Sequence, residues 1–108
     1  MEVTMIVDVR TYNIAPRKMA SYLELFEQYA LPVQRKYIGE PLGYFVTVSG
    51  TLNQVIHMWG FESLADLEVR RAKRDADPAW ADYLVRTEGL VVSQQNNLTR
   101  PTEWSVIR

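Results

Sequence analysis

The chain has 108 residues, 47% of them hydrophobic and 23% charged, with a formal net charge of -1. That size and composition suit a single ordered domain over residues 1–108 with one hydrophobic core, and the near-neutral charge gives no electrostatic reason to bind nucleic acid or an anionic membrane. With no cysteine, disulfide scaffolding, thiolate nucleophiles, iron–sulfur clusters and cysteine–zinc sites are excluded.

Residues 1–9 lack the basic start and long apolar run of a secretory signal, and no stretch approaches the roughly 20 apolar residues that span a bilayer, so a cytoplasmic protein is expected. Residues 4–14 alternate, with Met5, Val7 and Val9 on one side and Asp8, Arg10 and Tyr12 on the other, which predicts a first strand with one polar face. Pro16 suits the start of a helix, and Met19, Tyr22, Leu23, Phe26, Ala30, Val33 and Tyr37 recur at helical spacing towards a stop at Gly39. Pro32 falls inside this run, where it removes one intrahelical hydrogen bond and crowds the preceding turn, so a kink or break is expected there.

Residues 42–48 and 55–61 read as a hairpin across Gly50, Thr51, Leu52 and Asn53. Ser63 followed by Asp66 resembles a capping box with Asp in place of Glu, and it predicts a second helix through Leu64 and Leu67. Asp77 as cap and Pro78 as first helical residue restart the chain in a short helix that carries Trp80, Tyr83 and Leu84 and ends near Gly89. A last extended segment follows from Leu90. The order strand, helix, strand, strand, helix, strand is the split βαβ pattern of a ferredoxin-like α+β fold with an antiparallel sheet.

If the apolar side of the first strand packs under the helices, Asp8, Arg10 and Tyr12 lie on the open sheet face. That face would also carry the aromatic residues Phe45, Trp59 and Phe61. A patch of that kind marks an interface or a ligand groove, and pairing with a second copy is the simplest cover.

Several segments in order resemble the NIPSNAP family: Arg10-Thr11-Tyr12, Gly43-Tyr44-Phe45, Gly50-Thr51-Leu52-Asn53 leading into Val55-Ile56-His57-Met58-Trp59, Asp77-Pro78-Ala79-Trp80, and Arg100-Pro101-Thr102. The resemblance spans nearly the whole chain and implies the dimeric α/β-barrel version of the ferredoxin-like fold. It implies no reaction. The mitochondrial and vesicle-related roles of eukaryotic members are not expected here, because residues 1–9 do not read as a presequence.

His57 is the only histidine. Its near-neutral reference pKa suits acid–base work, although a buried imidazole satisfied by a neighbour is the commoner case. Asp8 and Arg10 project from the same strand face about 7 Å apart and are placed to pair, leaving Arg10 either to orient a ligand carboxylate or carbonyl or to serve in an ion pair that fixes strand register or crosses the dimer interface. Tyr12 is placed to donate to the same ligand. Trp59, Trp80, Phe26 and Tyr83 either line an apolar pocket or form plain core, the more usual role. Arg70, Arg71, Lys73 and Arg74 read as a solvated helix face. No residue pattern calls for a cofactor or a metal. The ligand-site candidates are therefore Asp8, Arg10, Tyr12, His57 and Trp59 on the open sheet face of a homodimeric small-molecule-binding protein or cofactor-independent enzyme. The alternative is a non-catalytic interaction module whose function is its dimer surface.

Overall fold

The structure is a computed structural model that describes residues 5–108; the readings of residues 1–4, including Thr4 as the start of the first strand, lie outside them. Strands β1 (Ile6–Ile14), β2 (Gly43–Val46), β3 (Gln54–Phe61) and β4 (Val91–Thr99) form one sheet in the order β2-β3-β1-β4. Every neighbouring pair is antiparallel. Helices α1 (Met19–Leu25) and α2 (Leu31–Tyr37) lie between β1 and β2, and α3 (Leu64–Asp75) and α4 (Pro78–Arg86) between β3 and β4. This is the ferredoxin-like α+β arrangement expected from the order of elements.

The expected interruption at Pro32 takes the form of a π-helical turn. Phe26–Ala30 joins α1 to α2, and the Leu31 N–H donates to the Phe26 carbonyl five residues back. Widening the turn just before Pro32 accommodates a residue that has no N–H to give and no room for the carbonyl four positions behind it. The first helix begins at Met19 rather than at Pro16, which lies in the turn before it, whereas the other two helix starts read from the sequence are made by side chains. The Asp66 N–H donates to Ser63 Oγ at 3.0 Å, while Asp66 Oδ2 accepts from the Glu62 N–H at 3.0 Å. The Ala79 N–H donates to Asp77 Oδ1 at 2.9 Å, and the other carboxylate oxygen accepts from the Tyr37 hydroxyl at 2.8 Å.

The sheet turns the opposite way from the sequence expectation. Register places Ile6, Asp8, Arg10 and Tyr12 opposite Phe61, Trp59, His57 and Val55, and this set faces the helices. Ile6, Val55, Trp59 and Phe61 join Tyr22, Phe26 and Tyr83 in the core. Val7, Val9 and Met58 lie on the other face, where Pro101, Ser105 and Ile107 of the C-terminal segment turn back over them around a hollow of about 160 Å³. The reason is the partner strand. Every second residue of β3 from Val55 to Phe61 is buried, and these four outweigh the smaller apolar row of β1 in deciding which side the helices cover. Tyr12, Trp59 and Phe61 are therefore not an exposed aromatic patch; of the four residues expected in it, only Phe45 stands on the open face.

Candidate functional site

The site is built from alternate residues of β1, which emerge about 7 Å apart on the helix-facing side. Asp8 is fully buried and accepts from Arg10 Nη1 at 3.0 Å, from Asn96 Nδ2 at 3.3 Å, and from Arg71 Nη2. Arg10 also donates from Nε to the Tyr12 hydroxyl oxygen at 3.1 Å. One carboxylate thus fixes two guanidinium groups, and one of these fixes a phenol.

Across the strand pair, His57 is 1% exposed and meets the Tyr12 ring edge-on at a centroid distance of 4.7 Å. Trp59 Nε1 donates to His57 Nδ1 at 2.6 Å. An indole nitrogen can only donate, so Nδ1 carries the lone pair and the proton of the neutral ring sits on Nε2. His57 Nε2 is itself buried without a partner among the described residues. Burial first, and the Arg10 charge second, push the imidazole down to about 3 against the smaller pull of Asp8. At neutral pH His57 is an uncharged hydrogen-bond donor whose tautomer Trp59 dictates.

A cavity of about 380 Å³ opens between the sheet and α4, with Tyr12, His57, Phe26, Trp80, Tyr83 and Thr87 among its walls. Exposed Glu88 and Gly89 stand at its rim. The Thr87 hydroxyl donates to the Tyr83 carbonyl at 3.0 Å, which ties the end of α4 to its own preceding turn. Burial pushes the Tyr22, Tyr44 and Tyr83 hydroxyls well above the usual phenol range, so they are uncharged as well. Among the described residues no group of three or more His, Asp or Glu is placed to hold a metal ion, and no helix is long and apolar enough to cross a membrane.

Of the five candidate residues, Tyr12 and His57 reach the cavity wall. Arg10, Asp8 and Trp59 are not among its lining residues and act through the groups they bond, Arg10 through Tyr12, Asp8 through Arg10, and Trp59 through His57. The open-face location is corrected accordingly: the residues come together, but under the helices. Phe26 and Tyr83 are at once core and cavity wall, Trp80 is cavity wall, and Trp59 is core alone. Sequence reasoning missed Arg71, which was assigned to a solvated face. The signal was present in the stripe Leu67, Arg70, Arg71, Arg74, which follows the spacing of an inward helix face from a buried leucine. Arg74 likewise turns inward, stacking over the Trp80 ring at 4.2 Å and donating to Gln34 Oε1 at 3.3 Å.

The NIPSNAP family profile matches residues 7–106. The chain belongs to the NIPSNAP family. A NIPSNAP family protein of unknown function from Agrobacterium tumefaciens superposes with a TM-score of 0.95 at 30% identity, covering 100% of this chain and 97% of that one. A second NIPSNAP family protein from the same organism gives 0.92 at 41% identity, covering 96% and 99%. Human NipSnap homolog 3A is 32% identical over 100 residues, 90% of this chain and 39% of that protein. The NipSnap homolog of Dictyostelium discoideum is 27% identical over 97 residues, 89% of this chain and 42% of that protein. The chain thus spans about two-fifths of the length of these two relatives. A chain from Nitrosomonas europaea assigned as an antibiotic biosynthesis monooxygenase shares the fold alone, with a TM-score of 0.66 at 6% identity.

Proposed function

We propose that this NIPSNAP domain binds a small molecule in the cavity between the sheet and α4, and holds a ligand oxygen with the His57 Nε2–H and the Tyr12 hydroxyl. The observation that carries the reading is a buried imidazole on a cavity wall whose donor has no partner among the described residues, since buried polar groups in folded chains are otherwise satisfied. Tyr12 supports it. Its oxygen already accepts from Arg10, which directs the hydroxyl proton elsewhere. The walls are aromatic and the donors uncharged or pre-bonded, so the ligand has an apolar body and at least one acceptor oxygen. A cofactor-independent reaction here would rest on donation to a carbonyl as charge develops on its oxygen, because an imidazole that titrates near 3 is a poor base at neutral pH.

The test is calorimetric titration with aromatic carbonyl compounds, with His57→Phe and Tyr12→Phe as controls that keep ring packing. The expected outcome is saturable binding to the parent that weakens in both variants. Binding of equal strength in all three proteins removes the two donors from the site.

A homodimer joined through the open sheet face is supported by a separate observation. Phe45 on that face is 53% exposed, and its ring lies so close over Gly43 that a Cβ there would meet it at 2.7 Å. A flat apolar surface of this kind suits a second sheet. Light scattering that gives a monomer at micromolar concentration overturns this part of the proposal. A dimer that binds no small molecule would favour the interaction-module reading.

A further inference from the structure

We infer that the ligand of this cavity carries a carboxylate, received where Arg10 and Arg71 share the single side chain of Asp8. The inference rests on the cavity being a ligand site and names the chemical class of what enters it.

The charge count comes first. Arg10 and Arg71 bring two positive charges to one buried carboxylate, and the nearby Arg74 is occupied by Asp75 at 2.9 Å. Among the described residues a single positive charge is left over at a partly dehydrated place. Arg71 registers this: its pKa is lowered, by burial first and then by Arg10 and Arg74, against the opposing pull of Asp8.

Donor capacity is also left over. Each guanidinium has five N–H groups. Among the described residues, Arg10 engages acceptors through Nε and Nη1 and Arg71 through Nη2, which leaves Nη2 of the first and Nε and Nη1 of the second. Their side chains retain 21% and 26% of their accessible surface, so an incoming anion can reach them. Two guanidinium groups held on one oxygen of Asp8 lie close enough to each other to serve one planar carboxylate.

Register then sets direction. Tyr12 pairs with Gln94, and both line the cavity. Arg10 pairs with Asn96 on the same sheet face, one strand repeat, about 7 Å, beyond the lining pair Tyr12 and Gln94. At the other end, Leu90 accepts from the Ala15 N–H just beyond β1, which places the rim residue Glu88 away from the arginines. A ligand anion is repelled at the Glu88 end and attracted at the Arg10 end. The apolar body lies against Phe26, Trp80 and Tyr83, with the carboxylate beyond Tyr12.

The probes are 2-naphthoate and 2-naphthamide, which match in shape and differ in charge, titrated by calorimetry into the whole chain. Naphthoate is expected to bind about tenfold tighter, and Arg10→Lys and Arg71→Lys, which keep a cation beside Asp8, to lose about that factor for naphthoate alone. In the parent, naphthoate and not naphthamide should shift the Nε–H resonances of Arg10 and Arg71, a readout that needs no variant to fold. Equal affinity for the two probes, or naphthoate binding indifferent to both lysine variants, overturns the carboxylate inference and leaves the cavity reading standing. Thr87→Trp, which fills the cavity, should abolish both titrations. If neither probe binds the parent, or if naphthoate binding survives Thr87→Trp unchanged, the cavity reading fails and the inference with it.

Discussion

The two faces of the sheet invert the ordinary relation between polarity and burial. The helix-covered face carries Asp8, Arg10, His57 and the phenols of Tyr12 and Tyr44, with Arg71 reaching it from α3, and the other face carries Val7, Val9, Met58 and Phe45. Covering the polar face is tolerable because its charged and polar groups are mostly bonded: Asp8 has three donors, Arg10 two acceptors, and His57 Nδ1 the indole N–H. What remains there without a partner among the described residues, His57 Nε2 and the Tyr44 hydroxyl, is the polarity that packing alone does not explain. A sheet can therefore bury its chemistry and leave its plain apolar side to another surface.

The largest effect expected on the covered face follows Trp59→Ala, which removes a buried indole and strands His57 Nδ1 together, at a cost of about 5 kcal/mol in urea unfolding. A loss no greater than that of an average surface change would show that Trp59 is not core. Acid comes next. Folded His57 titrates near 3 and the unfolded chain near 6.5, so the unfolded state takes up the proton first and stability falls as pH drops through that window, by just under about 5 kcal/mol in total. Asp66 and Asp77 are also held below their usual values, and their stabilisation is lost only below about pH 4, so the slope between pH 4.5 and 6.5 isolates the histidine. It should vanish in His57→Phe, and a slope unchanged in that variant assigns the effect elsewhere.

Asp8→Asn should cost about 3 kcal/mol, because it leaves two guanidinium groups without their counter-charge. A thermal midpoint equal to the parent's would mean that both arginines simply return to water. Away from the sheet, Asp77→Ala should cost about 1 kcal/mol through loss of the α4 cap, and identical thermal melts would rule that cap out as a stabiliser. The smallest change is expected on the open face. In an isolated protomer Met58→Thr should cost less than about 1 kcal/mol, since the position is only partly covered. A larger loss that grows with dilution would reveal a second copy seated there.

The order of elements was legible in the sequence because each boundary has a local chemical cause. Ser63 and Asp66 cap α3, Asp77 and Pro78 begin α4, and alternation defines β1 and β3. The pairing of Asp8 with Arg10 was legible for the same reason, both being on one strand. The choice of covered face was not. Alternation shows which residues share a side but carries no label for inside, and in β1 the aliphatic row looks more inward than a row with Asp and Arg. Only registration against Val55, His57, Trp59 and Phe61 decides it, and that is a contact between segments more than forty residues apart. Arg71 stayed hidden on the same account, since a basic residue on a helix is normally solvated and its acceptor, Asp8, lies 63 positions earlier.

The π-helical turn at Phe26–Ala30 also sets the phase of the long helical segment around it. Tyr22, Phe26, Ala30, Gln34 and Ile38 are all buried, and they recur every four residues. A regular helix with about 3.6 residues per turn would carry such a row steadily around its axis, so that Ile38 ended far from the side on which Tyr22 began. One extra residue taken up in the wide turn resets that rotation and keeps the row against the sheet. The segment is in this sense one residue longer than a regular helix needs to present the same stripe. A chain without Gln28 and without proline at position 32 would bury Tyr22 and Phe26, and then the three residues that follow them in the stripe, at ordinary helical spacing.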